Sequence, residues 1–269
     1  PQDATIAIVN RRIPKSYRSK LMSPGAKGYI SRDFAEQPFG SVVGPYEKRH
    51  SRDTWKDLLE LQEQNKTSAL DVMLSANFKS YDQKSLPYCW SFGVCAPVAV
   101  AMARAGHDPI PHLSASYVAG KVKNWKRVGG WGMQAVEGLL KYGCPTTDVF
   151  PEASTNRSLA NTDKVKASAA LHSIVQFEEI QSNDFDGCIS ALLDPINPAC
   201  GVSMAFNYWR HLVFACKACW HPQKGWGVVI QNSWGSRWGD QGRKELYGSK
   251  AIAHEMIVVR SAKVRKDGK

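Results

Sequence analysis

The sequence predicts an α+β protein in which a mostly helical half precedes a β-rich half. Hydrophobic residues make up 43% of the 269 residues, which is enough for a sizeable core and too many for a disordered chain. One long apolar stretch, at 89–105, is typical of a helix that is buried on all sides. After about residue 170, short apolar and aromatic runs alternate with turn residues, as they do in strands.

Three segments have the features of helices, and the apolar stretch at 89–105 is the longest of them. It contains Pro97, whose ring presses on the carbonyl of Gly93, so we expect a kink there. The three predicted helices are a short one capped by Ser51 or Asp53 with Trp55, Leu58, Leu59 and Gln62 on one face, the stretch 89–105, and 133–142, which ends at Gly143.

Four runs in the second half have the composition of strands. Each is apolar, β-branched or aromatic, and each is bounded by turn residues. They lie at 201–206, 211–220, 227–231 and 257–259. We therefore expect a sheet built mainly from the last seventy residues.

Positive charge is concentrated at the two ends of the chain. Lys and Arg total 35 against 24 Asp and Glu, which gives a net charge of +11. The segment 11–28 is basic, contains no acidic residue and is broken by Pro and Gly, so it is interpreted as an extended arm. The tail at 260–269 is similar. Solvation is the simplest interpretation of both ends, and docking to an acidic or polyanionic partner, including nucleic acid, is the alternative.

Other features narrow the class of protein. No stretch reaches the roughly 20 apolar residues of a membrane span, and the first residues lack the basic and apolar regions of a secretory signal. The seven cysteines are odd in number and irregularly spaced, which argues against a disulfide scaffold. We therefore expect an intracellular, cytoplasmic protein or one carried in a macromolecular assembly.

Cys89 lies where a turn-like stretch meets the start of the long apolar helix. A thiol there lies at the positive end of the helix dipole, which favours the nucleophilic thiolate. His211 opens one predicted strand and Asn232 closes the next, so on neighbouring strands the Asn232 amide oxygen would hold the imidazole toward the thiol. Trp234 would cover that hydrogen bond, and Gln83 with the backbone N–H of Cys89 would donate to an oxyanion.

Two blocks of sequence around these residues resemble those of the papain-like cysteine peptidases. In the first, a glutamine is followed by five residues and then by Cys-Trp-x-Phe, here from Gln83 to Phe92. In the second, Asn-Ser-Trp-Gly is followed by Trp-Gly-x-x-Gly, here at 232–235 and 238–242. Both blocks are specific signals for the family.

The spacing and two weaker similarities agree with this resemblance. Cys89 lies 122 residues before His211 and 143 before Asn232, close to the roughly 130–150 residues found in papain and the cathepsins. The sequence at 112–117 is similar to a helix start of the family. The sequence at 129–131 is similar to the glycine pair that binds extended substrate.

The resemblance covers about 67–260 and implies a divergent member of the family with a two-lobed fold. A helical lobe over about 67–170, with its buried central helix, would pack against an antiparallel β-rich lobe over about 171–260. Residues 1–66 would then be an N-terminal extension with a basic arm and a short helix, and 261–269 a basic tail.

The resemblance also implies hydrolysis of a peptide or amide bond, in a peptide or protein substrate, through an acyl-enzyme on Cys89. His211 would act as base and then as acid, Asn232 would orient it, and Gln83 would donate to the oxyanion. No cofactor and no metal are implied. The residues expected to line or flank the cleft are Gly129, Gly130, Trp234, Trp238 and Tyr88.

Three features depart from the family pattern. The usual Cys-Gly-Ser before the nucleophile is replaced by 86–88, where Pro87 and the ring of Tyr88 would narrow the approach of a substrate. Only residues 207–210 separate two predicted strands where the family has a longer loop, so a cleft wall is missing or rebuilt. The first 66 residues contain no long amphipathic helix of the inhibitory kind, which favours an anchoring or assembly arm.

Two other functions remain open from the sequence. One is a structural or interaction subunit of a larger assembly, such as a viral one, with a papain-like fold and little or no activity. The other is metal binding by Cys216, Cys219 and His221, which is disfavoured because residues 216 and 219 point to opposite faces of a strand.

Overall fold

The structure, a computed structural model, describes residues 27–38, 45–47 and 50–263. Most of the predicted basic arm and the end of the basic tail lie outside the described residues, so their solvation or docking stays a prediction. The division of the chain at residues 66 and 260 also stays a prediction. In the structure the last strand continues past residue 260 to Ala262, where it pairs with Ile174.

The helices follow the apolar pattern of the first half. Every residue of the third helix from Cys89 to Met102 is buried, which explains why this stretch is apolar on all sides. The other two predicted helices are also present, and none of the described helices has the length and apolar composition that a membrane span needs. The helices are α1 (Trp55–Asn65), α2 (Ala69–Ser75), α3 (Cys89–Arg104), α4 (Ala115–Val122), α5 (Gly132–Tyr142), α6 (Arg157–Ala160), α7 (Asp163–Leu171) and α8 (Phe185–Leu193).

The strands form one antiparallel sheet in the order β1-β6-β2-β3-β4-β5. The four predicted strands are present, whereas β1 and β5 were missed because charged side chains interrupt their apolar pattern. The strands are β1 (Ile174–Ile180), β2 (Val202–Phe206), β3 (His211–His221), β4 (Gly225–Gln231), β5 (Arg243–Tyr247) and β6 (Glu255–Ala262). Helices in the first half and this sheet in the second confirm the α+β class.

The sheet is covered on both faces, as alternate residues of β3 show. Leu212 and Phe214 join the core that contains α3, whereas Val213 and Ala215 join a second core with residues of α1 and α8. The buried central helix therefore packs on one face of the sheet, and two shorter helices pack on the other.

A close contact sets the start of α3 against the start of β3. A Cβ atom on Gly93 would lie 3.2 Å from the carbonyl carbon and oxygen of Val213, so the absence of a side chain at Gly93 lets the two backbones approach closely. Residues 207–210 form the short turn between β2 and β3, and Phe206 pairs directly with His211 across it. This arrangement brings Cys89 and His211 to the same region of the molecule.

Candidate active site

Cys89 is the first residue of α3, and its side chain is fully buried. The preceding loop turns sharply, with Leu86 N–H donating to the Gln83 carbonyl at 3.1 Å, and α3 starts two residues after Pro87. The backbone of Leu212, the residue after His211, lies close enough to the thiol to lower its pKa. The sulfur therefore lies beside the beginning of β3.

His211 and Asn232 are held together by adjacent strands. Nε2 of His211 lies 2.7 Å from Oδ1 of Asn232, and the same oxygen accepts the backbone N–H of Ser233 at 2.7 Å. Because an amide oxygen only accepts, Nε2 must carry the proton, which leaves Nδ1 of His211 as the basic nitrogen. Nδ1 is buried and has no hydrogen-bond partner among the described residues.

Two tryptophans contact the imidazole, and a third packs against both of them. The ring of Trp234 lies 4.4 Å from that of His211, and the ring of Trp209 lies 4.8 Å from it. Trp209 also stacks on Trp238, with their ring centroids 6.1 Å apart. The sequence predicted a missing or rebuilt cleft wall at the short turn 207–210, and Trp209 is the side chain from this turn that packs beside the imidazole. Sequence reasoning did not single out Trp209, although an aromatic residue two positions before His211 was the available signal.

Gln83 connects the loop before Cys89 to the segment after Asn232. Its Nε2 donates to the Leu86 carbonyl at 2.8 Å, and its Oε1 accepts from the Ser233 hydroxyl at 2.6 Å. The side chain is fully buried. These contacts fix the amide beside the nucleophile.

Residues 27–38, which precede α1 in the chain, lie against the glycine pair; we call this segment the strap. Ile30 N–H donates to the Gly130 carbonyl, and Gly130 N–H donates to the Gly28 carbonyl, both at 2.9 Å. Tyr29 and Gly130 form a parallel β-bridge. The strap therefore pairs with the backbone that was expected to bind a substrate.

The strap also reaches the opposite wall and covers the thiol. Tyr29 N–H donates to the Arg210 carbonyl at 3.2 Å, next to the imidazole-bearing residue. A Cβ atom on Gly28 would lie 2.0 Å from the Pro87 carbonyl oxygen, so the strap backbone lies directly on the loop that precedes Cys89. The backbones of Gly28 and Tyr29 are near enough to the sulfur to influence its pKa.

Solved structures with this arrangement of elements are papain-like. Xylellain, a cysteine protease from Xylella fastidiosa, matches with a TM-score of 0.62 at 14% identity, over 91% of this chain and 99% of that one. Digestive procathepsin L 3 from the larval midgut of Tenebrio molitor matches with a TM-score of 0.61 at 14% identity, over 90% and 84%. The chain has the papain-like cysteine peptidase fold.

A curated relative agrees with this papain-like fold. Falcipain-2b of Plasmodium falciparum (isolate 3D7) is 25% identical over 185 residues, which cover 60% of this chain and 37% of the relative. The match thus spans little more than a third of the relative's length. No protein-family model matches the chain. The resemblance seen in the sequence is confirmed at the level of the fold, and the low identity agrees with a divergent sequence.

Burial gives Cys89 a protonation state that differs from the thiolate predicted from the sequence, and it affects His211 as well. Desolvation raises the pKa of Cys89 to about 11 and lowers the pKa of His211 to about 4, although the hydrogen bond that His211 donates to Asn232 opposes the latter shift. Beneath the strap, the thiol and the imidazole are therefore both neutral at pH 7. The dipole of α3 does not produce a thiolate here, because burial has the larger effect.

The remaining predicted cleft residues lie in different surroundings. Gly129 lies under the strap, where a Cβ atom would be 2.4 Å from the Gly28 carbonyl oxygen. Tyr88 is fully buried, and its hydroxyl donates to the Lys126 carbonyl at 2.9 Å, so its ring packs within the helical lobe. In this arrangement Pro87, and not the Tyr88 ring, adjoins the chain that occupies the cleft.

The two cysteines considered for metal binding have separate partners. Cys216 Sγ contacts the Val229 carbonyl at 3.3 Å, and Cys219 Sγ contacts the Tyr247 hydroxyl at 3.5 Å. Within the described ranges, no group of three or more His, Cys, Asp or Glu side chains is arranged to hold a metal ion.

Proposed function

We propose that the protein is a cysteine peptidase that hydrolyses peptide or amide bonds with Cys89 as nucleophile. The observation that carries the proposal is the His211–Asn232 hydrogen bond of 2.7 Å, formed beside the start of α3. It leaves a buried basic nitrogen, Nδ1, without a hydrogen-bond partner among the described residues, and the backbone of the next residue, Leu212, lies beside the thiol of Cys89. This is the combination that a thiol nucleophile requires: a base and a group that orients it.

The reaction then follows from the placement of these groups. Nδ1 of His211 takes the thiol proton, and the Cys89 thiolate attacks the carbonyl carbon of the substrate. The Gln83 amide and the Cys89 backbone N–H stabilise the oxyanion of the tetrahedral intermediate. The imidazolium returns the proton to the leaving amine, and water hydrolyses the thioester by the same route in reverse.

Catalysis on this proposal requires that the strap leave the cleft. Gly28 and Ile30 use the hydrogen-bonding groups of Gly130, which an incoming peptide would also use. The arrangement described here is therefore a closed one, in which residues of the chain itself exclude substrate from Cys89.

A second candidate is a structural or interaction subunit with no hydrolytic role. The observation that favours it is the full burial of Cys89, which raises the pKa of its thiol to about 11. On this alternative the strap is a permanent part of the fold. The two candidates differ in whether the thiol becomes reactive when the strap is displaced.

Displacing the strap while leaving the catalytic groups unchanged tests the proposal. In Gly28→Ala the new methyl carbon would lie 2.0 Å from the Pro87 carbonyl oxygen, so the strap and the Pro87 loop cannot keep this contact, and we expect the strap to be displaced. We expect this variant to react at Cys89 with a thiolate-directed epoxide at pH 7 and to cleave members of a peptide library. Gly28→Ala/Cys89→Ala should do neither. A folded Gly28→Ala protein with an exposed strap, no adduct and no cleavage would establish the structural candidate.

A further inference from the structure

The four-residue turn between β2 and β3, residues 207–210, leads directly into His211. Its two aromatic side chains lie in different surroundings. Tyr208 is 60% exposed, and its hydroxyl donates to the Lys250 carbonyl at 2.9 Å. Trp209 is half-buried, and its ring lies 4.8 Å from the imidazole. Trp209 is therefore the side chain of this turn that is placed to exclude water from His211.

Three other aromatic rings hold the ring of Trp209 in place. It packs at 6.2 Å from Phe206, meets Trp234 edge-on at 5.5 Å and stacks on Trp238 at 6.1 Å, all between ring centroids. Phe206 is the last residue of β2, and the two tryptophans follow β4. The ring of Trp209 is thus fixed by the β-rich half of the chain.

The backbone of the turn is fixed as well. Trp209 N–H donates to the Phe206 carbonyl, and Arg210 N–H donates to the Asn207 carbonyl, both at 3.2 Å. Arg210 has a φ of +50°, in the left-handed region that residues other than glycine rarely adopt. Such a conformation persists only where surrounding contacts hold it, so the direction of Trp209 is set by the fold.

The strap meets this turn through backbone atoms, because Tyr29 N–H donates to the Arg210 carbonyl at 3.2 Å. A strong anchor of the strap lies elsewhere. Arg32 forms a buried ion pair with Glu179 on β1 and lies 3.8 Å from Oε1 of Glu255, the first residue of β6. Displacing the strap should therefore leave the ring contacts of Trp209 intact.

Trp209 and Trp234 contact the imidazole from different directions. Their ring centroids lie 4.8 Å and 4.4 Å from that of His211 and 5.5 Å from each other, and the two indole planes are nearly perpendicular. Between them, His211 is fully buried and Asn232 is 2% exposed. Trp209 thus extends the cover that was expected from Trp234 alone.

This cover has a chemical consequence for the base. Water competes for both atoms of the hydrogen bond from His211 Nε2 to Asn232 Oδ1, and this bond is stronger where water is excluded. An imidazole that loses the bond can rotate, so that Nδ1 no longer keeps one direction. Once His211 has taken a proton, indole rings within about 6 Å also attract the cation.

We propose that Trp209 is a positioning residue for His211: it shields the His211–Asn232 hydrogen bond from water and so keeps Nδ1 in a fixed direction. Its meaning for catalysis rests on the proposed peptidase function, since Trp209 acts on that reaction through His211. The shielding itself exists in the closed protein and is measured there without any reaction.

Hydrogen exchange of the imidazole tests the shielding in the full chain. The Nε2–H proton of His211 is identified by NMR at pH 7 from its loss in His211→Gln, and its rate of exchange with water is measured. In Trp209→Ala we expect exchange at least about 5-fold faster, the effect of weakening one hydrogen bond. Trp209→Phe, which keeps an aromatic ring in this place, should exchange more slowly than Trp209→Ala.

Trp220→Ala is the matched control. Trp220 lies on the same strand as His211, nine residues or about 30 Å further along, where it contacts Lys56. Its loss should leave the exchange rate unchanged. If Trp209→Ala does not fold, Trp209→Leu takes its place, because it keeps an apolar side chain but uncovers part of the imidazole. A folded variant of either kind with the parent's exchange rate would overturn the inference.

Kinetics in the Gly28→Ala chain test the positioning. Trp209→Ala should lower kcat for peptide cleavage by about 5- to 10-fold and change KM by less than about twofold. In Gly28→Ala/Asn232→Ala the same substitution should change kcat by less than about twofold, because the bond that it shields is already absent. A loss of kcat that is equally large without Asn232 would show that Trp209 acts by another route, and would refute the proposal.

The two measurements separate this inference from the proposed function. Faster exchange in Trp209→Ala, combined with a Gly28→Ala chain that has an exposed strap and cleaves no peptide, would refute the peptidase function and support the shielding. Peptide cleavage that Trp209→Ala leaves unchanged would refute the positioning role alone.

Discussion

The two walls of the cleft differ in how complete they are. On the β-rich wall, His211 is already hydrogen-bonded to Asn232 and enclosed by tryptophans, all within one sheet and its connecting turns. On the helical wall, Cys89 and Gly130 are covered by the strap, a segment about sixty residues away from the nucleophile in sequence. The proposed base is already oriented by Asn232, whereas the proposed nucleophile and the backbone of Gly130 are covered by the strap.

The groups proposed to carry out the chemistry and the segment that limits access to them are held in place by different contacts. The imidazole and its partners are fixed by strand pairing, which is also required for folding. The strap is fixed by a few backbone hydrogen bonds and by the buried side chains of Tyr29 and Arg32. Changes in the strap should therefore alter the reactivity of Cys89 without changing the His211–Asn232 pair.

The largest effect is expected from opening the strap. Gly28→Ala exposes Cys89 to water and to His211, so the pKa of the thiol should fall from about 11 toward its ordinary value. Each unit of pKa changes the thiolate fraction tenfold at pH 7, so alkylation of Cys89 should become about 100-fold faster or more. Rates of alkylation between pH 5 and pH 11 give the pKa directly.

Glu36→Ala is the matched control for the strap, because Glu36 belongs to the strap but its side chain is exposed. It should leave the alkylation rate and its pH dependence unchanged. Equal rates in the parent chain and Gly28→Ala would show that the strap does not limit access to the thiol.

A smaller loss is expected when the base loses its orienting partner. In the opened Gly28→Ala protein, Asn232→Ala should lower kcat/KM for peptide cleavage by about 10- to 100-fold, as part of the acid–base contribution is lost. The hydrogen bond that His211 donates to Asn232 raises the pKa of His211, so its loss should also move the acid limb of the pH–rate profile to lower pH. Asn161→Ala, at the end of α6 and far from β3 and β4 in sequence, should change neither quantity.

The smallest effect concerns the pH dependence of stability. Burial lowers the pKa of His211 from 6.5 to about 4, so its contribution to the free energy of unfolding is present above pH 6.5 and is lost as the pH falls toward 4. His211→Gln should remove this loss, as measured by urea denaturation at several pH values. A His211→Gln protein with the same pH dependence as the parent would show that His211 is not buried in its neutral form.

Glu255 should make the free energy of unfolding depend on pH in the opposite direction to His211. Burial raises its pKa from 4.5 to about 7, so its contribution is present below pH 4.5 and is lost as the pH rises toward 7. In Glu255→Gln the free energy of unfolding should therefore fall less between pH 4.5 and 7 than in the parent chain. Urea denaturation at several pH values measures this difference for Glu255→Gln, as it does for His211→Gln.

Much of the candidate site was predictable because its residues belong to regular, strongly patterned elements. The apolar run that became α3 placed Cys89 at a helix start, and the runs that became β3 and β4 placed His211 and Asn232 at strand ends. Trp209 was missed because nothing in a four-residue turn indicates which way its side chains point. Glu179 and Glu255 were missed because a buried carboxylate in a strand looks like an ordinary polar residue until its partner is known.

The sequence by itself determined the α+β class, the central buried helix and the residues with the chemical character of a thiol peptidase, because helix and strand periodicity and short motifs are local properties. Only the tertiary structure decided that the strap lies on Gly130 and Cys89, and that Arg32 occupies a pocket made by β1 and β6. Those contacts join residues that are from about sixty to more than two hundred positions apart. Their free energy comes from burial and pairing in the folded chain, which no local pattern records.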